Sequence, residues 1–381
     1  MSTTSLSTPV IQFGTSRFLQ AHADFFIHEA REEGQDVGPV TVVAGSGSAG
    51  NRERLAAFND PAGYPVIVRG LEDGDKIERH VQVRSVTRGI DAEADWAELK
   101  RIFVDEARFV ISNTTETGFT VPDGLRVDPV ADCDAPPPSF PARLLVLLAA
   151  RHRAGRAGLV VLPTELVGRN GETLRGVVLG LARSSGASEE LVRFIADDCV
   201  FADSLVDRIV STPLEPAGAV AEPYALWAIE RKPKLTLPCA HPAIRVVDSL
   251  EPFERLKIHI LNLGHTVLAD WWLGHGRPEG LTVREILEDP EAWARLDGIY
   301  GREVLPGFRA KGMGDEAELY VATTLERFRN PFLDHRLSDI ATNHAAKIEK
   351  RVGGFIAWVG GAAALPELET LFQKSQGYVA A

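Results

Sequence analysis

Four short runs in the first 165 residues are almost wholly apolar: residues 9–13 (PVIQF), 40–44 (VTVVA), 107–111 (ARFVI) and 158–163 (GLVVLP). A strand with one wet face alternates polar and apolar side chains. These runs do not alternate, so each is expected to be buried on both faces, as the strands of a parallel sheet are. Stretches of helical periodicity lie between them. Strand and helix in alternation predict an α/β fold with a parallel sheet covered by helices.

The first run enters Gly14. Residues 15–34 then place Phe18, Ala21, Phe25, Phe26 and Ala30 on or near one helical face. Strand, glycine, helix is the opening of a dinucleotide-binding fold, with the pyrophosphate held at that first turn. Gly14, Thr15, Ser16 and Phe18 are therefore candidate cofactor contacts, although the turn has one glycine where the usual fingerprint has three. A literal G-x-G-x-x-G stands at residues 45–50 (GSGSAG). It follows the second strand, so it reads as a loop near the adenosine ribose, with Ser46 as a contact. The third run ends in Ser112, Asn113, Thr114, Thr115 and Glu116. Small polar groups at a strand terminus lie where open α/β sheets take ligands, which adds Asn113, Thr114, Thr115 and Glu116 to the cofactor set. The fourth run leads to Glu165 and Asn170, and Asn170 stands where it could cap the next helix.

Pro233, Pro238 and Pro242 punctuate the chain before it turns helical. The expected organisation is a Rossmann-like dinucleotide-binding domain over residues 1–240 and a mostly α-helical substrate domain over 241–381, with the active site in the cleft between them. The second domain opens on residues 257–272, KIHILNLGHTVLADWW, an apolar segment carrying Lys257, Asn262 and His265. On an α-helix Asn262 and His265 share a face. An ammonium group stripped of water by aliphatic neighbours gives up its proton more readily, which suits a general acid/base. An Asn beside it can donate to an oxygen gaining negative charge, and a His adds a further donor or acceptor. Taken alone, the three also fit a snorkelling Lys, a capping Asn and a satisfied core His. The tools suit the interconversion of a secondary alcohol and a ketone.

Composition limits the partners. The chain has 381 residues, 45% hydrophobic and 25% charged, with a formal net charge of −12. That charge argues against nucleic acid and anionic membrane, while leaving room for a local cationic pocket and a small anionic substrate. Cys133, Cys199 and Cys239 are scattered, without metal-type spacing, and fit a reducing cytoplasm. His259, His265 and His275 form no i, i+4 pair with a third ligand near, so no metal is expected. The start lacks the basic and apolar regions of a signal peptide, and no apolar run approaches the roughly 20 residues of a membrane span.

Lys-x4-Asn-x2-His followed by Thr resembles the signature of the polyol-specific long-chain dehydrogenases, the mannitol dehydrogenase family. Ser112–Glu116 (SNTTE), the FPARL helix at 140–144, TELVGRNG at 164–171, SLVDRI at 204–209, Glu222-Pro223-Tyr224 and RFRNPFLDH at 327–335 are similar to its tagaturonate reductase, or altronate oxidoreductase, branch. Thr164 stands where that branch has Cys, and Gln20 where the family often has Arg. The resemblance implies that Lys257 is the general acid/base, that Asn262 and His265 polarise the reacting oxygen, and that an Asn of the 164–171 loop, Asn170, lies beside it. It also implies a substrate contact for Lys347, on an expected helix over residues 337–351 whose Asn343 is four residues away and so on the same face. Asp339 stands where some mannitol-type members carry Arg, which argues against a mannitol-like substrate. The implied substrate is a keto sugar acid of the hexuronate type, with a neutral polyol as the alternative. A nucleotide-binding sensor without turnover is the alternative from another class. No acid lies between Ala44 and Arg52, and Arg52 could pair a 2′-phosphate, which leans towards NADP. The resembling branch also lacks the acid and uses NAD, so NAD is expected and NADP is the alternative.

Overall fold

Six parallel strands form the central sheet: β1 (Val10–Phe13), β2 (Val40–Ala44), β5 (Val86–Asp91), β6 (Phe109–Ser112), β7 (Val160–Pro163) and β8 (Val200–Phe201). Their order is β5-β2-β1-β6-β7-β8. Counted in chain order that is 3-2-1-4-5-6, the doubly wound arrangement, with its switch point between β1 and β6. The computed structural model describes residues 7–45, 48–115, 117–128 and 135–379, with side chains to 375. Every residue of β1, β2, β6 and β7 is buried, as their unbroken apolar runs predict. Side chains of one strand alternate between two cores. Val42 and Ala44 join Phe25, Phe26 and Phe58 on one face, and Val43 joins Phe103, Leu144 and Leu148 on the other.

The helices are α1 (Arg17–Gln20), α2 (Ala23–Glu32), α3 (Ala49–Phe58), α4 (Trp96–Asp105), α5 (Phe140–Arg153), α6 (Asn170–Ser184) and α7 (Glu189–Arg193). The single helix expected over residues 15–34 is broken at His22, whose φ of −130° and ψ of −97° are not helical. The ring of His22 is buried and its Nε2 sits 3.0 Å from the Leu226 carbonyl. That tertiary bond accompanies the break.

A second sheet was not foreseen. β3 (Tyr64–Glu72) and β4 (Asp75–Val83) form a hairpin, joined in the order β10-β11-β3-β4 by β10 (Val210–Pro213) and β11 (Ala219–Ala221). Its turn is Asp73-Gly74, with φ of 54° and 84°. Both residues stand at positive φ, as a type I′ turn requires. A third sheet orders β13 (Ile244–Val247), β12 (Leu226–Glu230) and β9 (Ser204–Asp207).

The chain divides into two compact units. The first is Met1–Val68, Arg79–Ala221 and Ala225–Leu250; the second is Arg69–Glu78, Glu222–Tyr224 and Glu251–Ala381. The second unit is helical from Glu251 onward. It opens with α8 (Glu251–Leu256), a π-helical turn (Lys257–Asn262) and α9 (Leu263–Gly274). Two further π turns occupy Tyr300–Val304 and Glu349–Gly353. The helix expected over residues 337–351 is in pieces, Leu337–Ile340 and His344–Ile348 before the last π turn. The break is at Asn343, which adopts φ of 55° and cannot continue a helix. Among the described residues no helix is long and apolar enough to cross a membrane.

Candidate active site

In the first unit, the chain leaves β1 through Gly14 at φ of 115°. A Cβ there would sit 2.5 Å from the Asn113 carbonyl oxygen. The two strand ends meet backbone to backbone: Asn113 N donates to Phe13 O at 2.9 Å, and Gly14 N donates to Val43 O at 3.0 Å. Gly14 thus lets the chain turn tightly against Asn113 at the carboxyl ends of β1 and β6, the switch point where doubly wound sheets take ligands. Thr15 and Ser16 line the same turn. Ser16 caps α1, accepting from Leu19 N at 3.2 Å, and Gln20 Nε2 donates to Thr15 O at 3.0 Å. Phe18 is half-buried, its ring 4.6 Å from that of His22. Ser46 and Glu116 lie outside the described residues.

The strand end after β6 is locked from below by a carboxylate. Glu165 is buried; its Oε2 accepts from Ser112 Oγ at 3.0 Å, and its Oε1 accepts from Thr114 N and Oγ1, both at 2.9 Å. Burial pushes its carboxyl up, and the Thr114 and Ser112 bonds pull the other way. Asn113 Nδ2 donates to Thr164 Oγ1 at 3.1 Å, so the hydroxyl that replaces the branch's Cys holds this loop. Thr115 is exposed at φ of 88°, an uncommon state for a β-branched residue and one that marks functional turns.

Asn170 does not stand free for a substrate. It is 1% exposed. Its Nδ2 lies 3.1 Å from Pro163 O, 3.1 Å from Glu165 O and 2.9 Å from Ser204 O, and its Oδ1 accepts from Gly171 N and Ser204 N, both at 2.9 Å. Backbone groups use the whole carboxamide, which makes Asn170 a clamp between β7, α6 and β9. The Asp207-Arg208 pair is likewise structural on its Arg side, since Arg208 donates to Ala21 O and lies over the Phe25 ring.

In the second unit, the π turn changes how the central motif is presented. On an α-helix Lys257 and Asn262 would stand about 140° apart around the axis. The i→i+5 ladder of a π turn brings residues five apart to neighbouring positions on one face, and such single turns are frequent at functional sites. The turn buries His259, Ile260 and Leu261 and leaves Lys257 half-buried, not enclosed as its apolar neighbours in sequence predict. Residues from the other two π turns hold it. Tyr300 Oη donates to Ile260 O at 2.9 Å. Arg351 Nη1 donates to Asn262 O at 3.1 Å and to Thr266 Oγ1 at 3.0 Å, while Thr266 Oγ1 donates to Asn262 O at 3.0 Å. The backbone of Asn262 is pinned, and its carboxamide makes no hydrogen bond among the described residues. Sequence reasoning missed this scaffold. One signal was present: Gly264 interrupts an apolar helix, and a Cβ there would meet the Tyr300 hydroxyl.

His265 is buried, with its ring centre 4.5 Å from Phe328 and 4.8 Å from His335. Burial holds it well below the usual imidazole range, and His335, Arg351, Arg327 and Lys347 push the same way. It is a neutral imidazole at neutral pH. Its two ring neighbours come from the 327–335 motif. Arg327 of that motif forms a buried bidentate pair with Glu222, at 3.0 and 2.8 Å, and lies over the Tyr224 ring. His335, missed as a site residue, has a buried Nδ1 with no partner among the described residues. Burial lowers its pKa, Asp339 opposes, and Lys347 and Arg351 reinforce. Lys347 Nζ donates to Ile340 O at 2.7 Å; burial and then Arg351 lower its pKa. Asn343 is exposed in its left-handed conformation, off the helix that carries Lys347, so the two do not share a helical face. No three His, Cys, Asp or Glu side chains among the described residues are grouped to hold a metal ion.

A doubly wound sheet in the order 3-2-1-4-5-6, with a glycine turn after its first strand, is an architecture that binds dinucleotides. Residues 8–239 match the mannitol dehydrogenase Rossmann domain, and residues 249–358 the mannitol dehydrogenase C-terminal domain. An altronate oxidoreductase of Klebsiella pneumoniae (strain 342) is 33% identical over 372 residues, covering 90% of this chain and 73% of the relative. One of Bacillus subtilis (strain 168) is 31% identical over 366 residues, with the same coverage. A D-sorbitol dehydrogenase solved in substrate-free form has a TM-score of 0.76 at 22% identity, covering 92% of this chain and 76% of that one. The Pseudomonas fluorescens mannitol 2-dehydrogenase, solved as a ternary complex with NAD and D-mannitol, has a TM-score of 0.68 at 19% identity, covering 94% and 76%. The two structures speak to the fold. The chain belongs to the mannitol dehydrogenase family and stands near its altronate oxidoreductase branch.

Proposed function

We propose that the chain interconverts a keto sugar acid of the hexuronate class, tagaturonate- or fructuronate-like, and its hydroxy acid, with NAD. The observation that carries this reading is the pair of cations that act on His265 and have no carboxylate partner among the described residues, Arg351 and Lys347; Arg351 also donates to Asn262 O and Thr266 Oγ1. Two such cations beside the reactive triplet favour a substrate with a carboxylate over a neutral polyol. The relatives named altronate oxidoreductase support the same class.

The nicotinamide supplies or accepts the hydride. The protein supplies the rest. Lys257 Nζ gives a proton to the reacting oxygen on reduction and takes it back on oxidation. Asn262, on its pinned backbone, donates to that oxygen as charge builds, at little reorganisation cost. His265, neutral, adds a hydrogen bond without adding a charge. Gly14, Thr15, Ser16, Asn113, Thr114 and Thr115 would hold the dinucleotide, and Lys347 the substrate.

The test is absorbance at 340 nm with a panel of ketouronates and polyols against both cofactors. Turnover of a ketouronate with kcat/KM at least tenfold above any polyol supports the sugar-acid reading. A hexitol as the best substrate overturns it in favour of a polyol dehydrogenase, and binding of cofactor with no turnover of either class favours a sensor.

A further inference from the structure

Two arginines lie at the first turn, one reaching it from α3 and one following it in the chain. Arg54, on α3, reaches back to Thr15: its Nη1 donates to Thr15 Oγ1 at 2.8 Å and, more weakly, to Thr15 O at 3.5 Å. It is half-buried, and its Nε is buried without an acceptor among the described residues. Arg17, at the start of α1, is the second. Its Nη2 binds Glu215 at 2.7 Å and its Nη1 donates to Gly218 O at 3.3 Å. Burial, and after it the Arg17 guanidinium, hold Arg54 below its ordinary range; Glu215 opposes them. A guanidinium fixed on the turn with a donor left unpaired among the described residues, and a second one at the same turn whose carboxylate partner is largely exposed, favour an anion there.

The place identifies the anion. Arg54 hangs from the helix after β2 onto the turn after β1. In this fold that is where the adenosine ribose meets the pyrophosphate, and where an acid usually bonds the 2′-hydroxyl and repels a 2′-phosphate. No acid follows β2 before Glu53, and Glu53 is exposed. Arg52, the residue singled out by sequence, is also exposed; Arg54 is the one turned to the site.

We propose that Arg54, with Arg17, forms a phosphate site that admits the 2′-phosphate of NADP(H), so that the protein binds both nicotinamide dinucleotides. This rests on the cofactor reading above. It is tested by fluorescence titration of NADPH and NADH into the whole protein, without substrate, for wild type, Arg54→Gln and Glu215→Gln. Wild type should bind NADPH within about tenfold of NADH. Arg54→Gln should weaken NADPH about 10- to 100-fold more than NADH, the share of one charge-assisted phosphate contact. Glu215→Gln, at an exposed position, should free Arg17 and tighten NADPH selectively. Equal weakening of both dinucleotides in Arg54→Gln would place the guanidinium on the shared pyrophosphate and overturn the proposal, as would failure of wild type to bind NADPH while it binds NADH. NADPH binding in the expected pattern with no sugar turned over would overturn the enzymatic reading and leave this one standing. Binding of neither dinucleotide would sink both.

Discussion

Replacing Gly14 by Ala tests the cofactor cradle against a built-in control. Two penalties apply. A non-glycine residue at φ of 115° is strained, which costs on the order of 1–3 kcal/mol. The new Cβ also lies 2.5 Å from the Asn113 carbonyl oxygen, where real Cβ atoms keep at least 3.0 Å, so backbone must move against backbone. Forcing such overpacking adds about 1–3 kcal/mol. Gly34 also has positive φ, 83°, but a Cβ there meets nothing within 4 Å. Gly34→Ala therefore carries only the conformational cost, about 1–2 kcal/mol. In a unit of this size 1 kcal/mol shifts Tm by about 2–4 °C, which gives a fall of roughly 5–20 °C for Gly14→Ala and about 2–8 °C for Gly34→Ala. The assay is calorimetric melting with and without NADH. A cofactor at a hundred times its Kd stabilises the native state by about 2.7 kcal/mol, and Gly14→Ala should lose that shift while Gly34→Ala keeps it. If the two variants melted alike, or NADH raised both equally, the strand ends would not form the dinucleotide cradle.

Asn170→Ala should cost about 3–5 kcal/mol in urea unfolding, because it strands several buried backbone partners, while the folded fraction keeps its kcat. A stable variant with lost kcat would return Asn170 to the reacting centre. Tyr300→Phe removes the bond to Ile260 O and should cost about 1 kcal/mol of stability while lowering kcat more than it changes KM; unchanged kcat would separate the π turn from catalysis. Asp24→Asn probes a buried carboxyl pushed up to about 7, chiefly by burial, with Tyr64 and Gln12 hydrogen bonds opposing. A raised folded pKa gives stability that is present below the unfolded value and lost as pH rises through the folded one. The variant, which mimics the neutral acid, should gain on wild type between pH 5 and 8, by on the order of a few kcal/mol. A difference constant over that range would mean that Asp24 does not titrate there.

The strands of the central sheet were legible because burial on both faces leaves an unbroken apolar signature, and β1, β2, β6 and β7 carry it. The hairpin of β3 and β4 was overlooked although Asp73-Gly74 sits between its strands; the polar, exposed β4 gave no apolar pattern to support the turn. The reactive triplet was readable by residue type and spacing, but its geometry was not. The carbonyls of the π turn at 257–262 accept from Tyr300 and Arg351, partners distant in sequence that no local pattern announces. The same turn explains the half-buried Lys257: the apolar neighbours lie around it in sequence, while Ile260 and Leu261 take the buried face. Asn170 read as a substrate contact because a carboxamide looks the same in sequence whether its partners are a ligand or the backbone of two strands, a loop and a helix. Arg52 and Arg54 are two residues apart on one helix, and only the packing of α3 decides which of them reaches Thr15.

The central claim is that Lys257 exchanges the proton at the reacting oxygen while a separate cradle holds the cofactor. Single-turnover hydride transfer in Lys257→Ala, with NADH affinity titrated in the same preparation, tests it most directly. The transfer rate should fall on the order of 10²–10⁴-fold, the usual share of a general acid/base, and the NADH Kd should stay within about threefold of wild type. Near-normal transfer in the variant would contradict the account and move the proton to another group, with His265 the first candidate in the same unit.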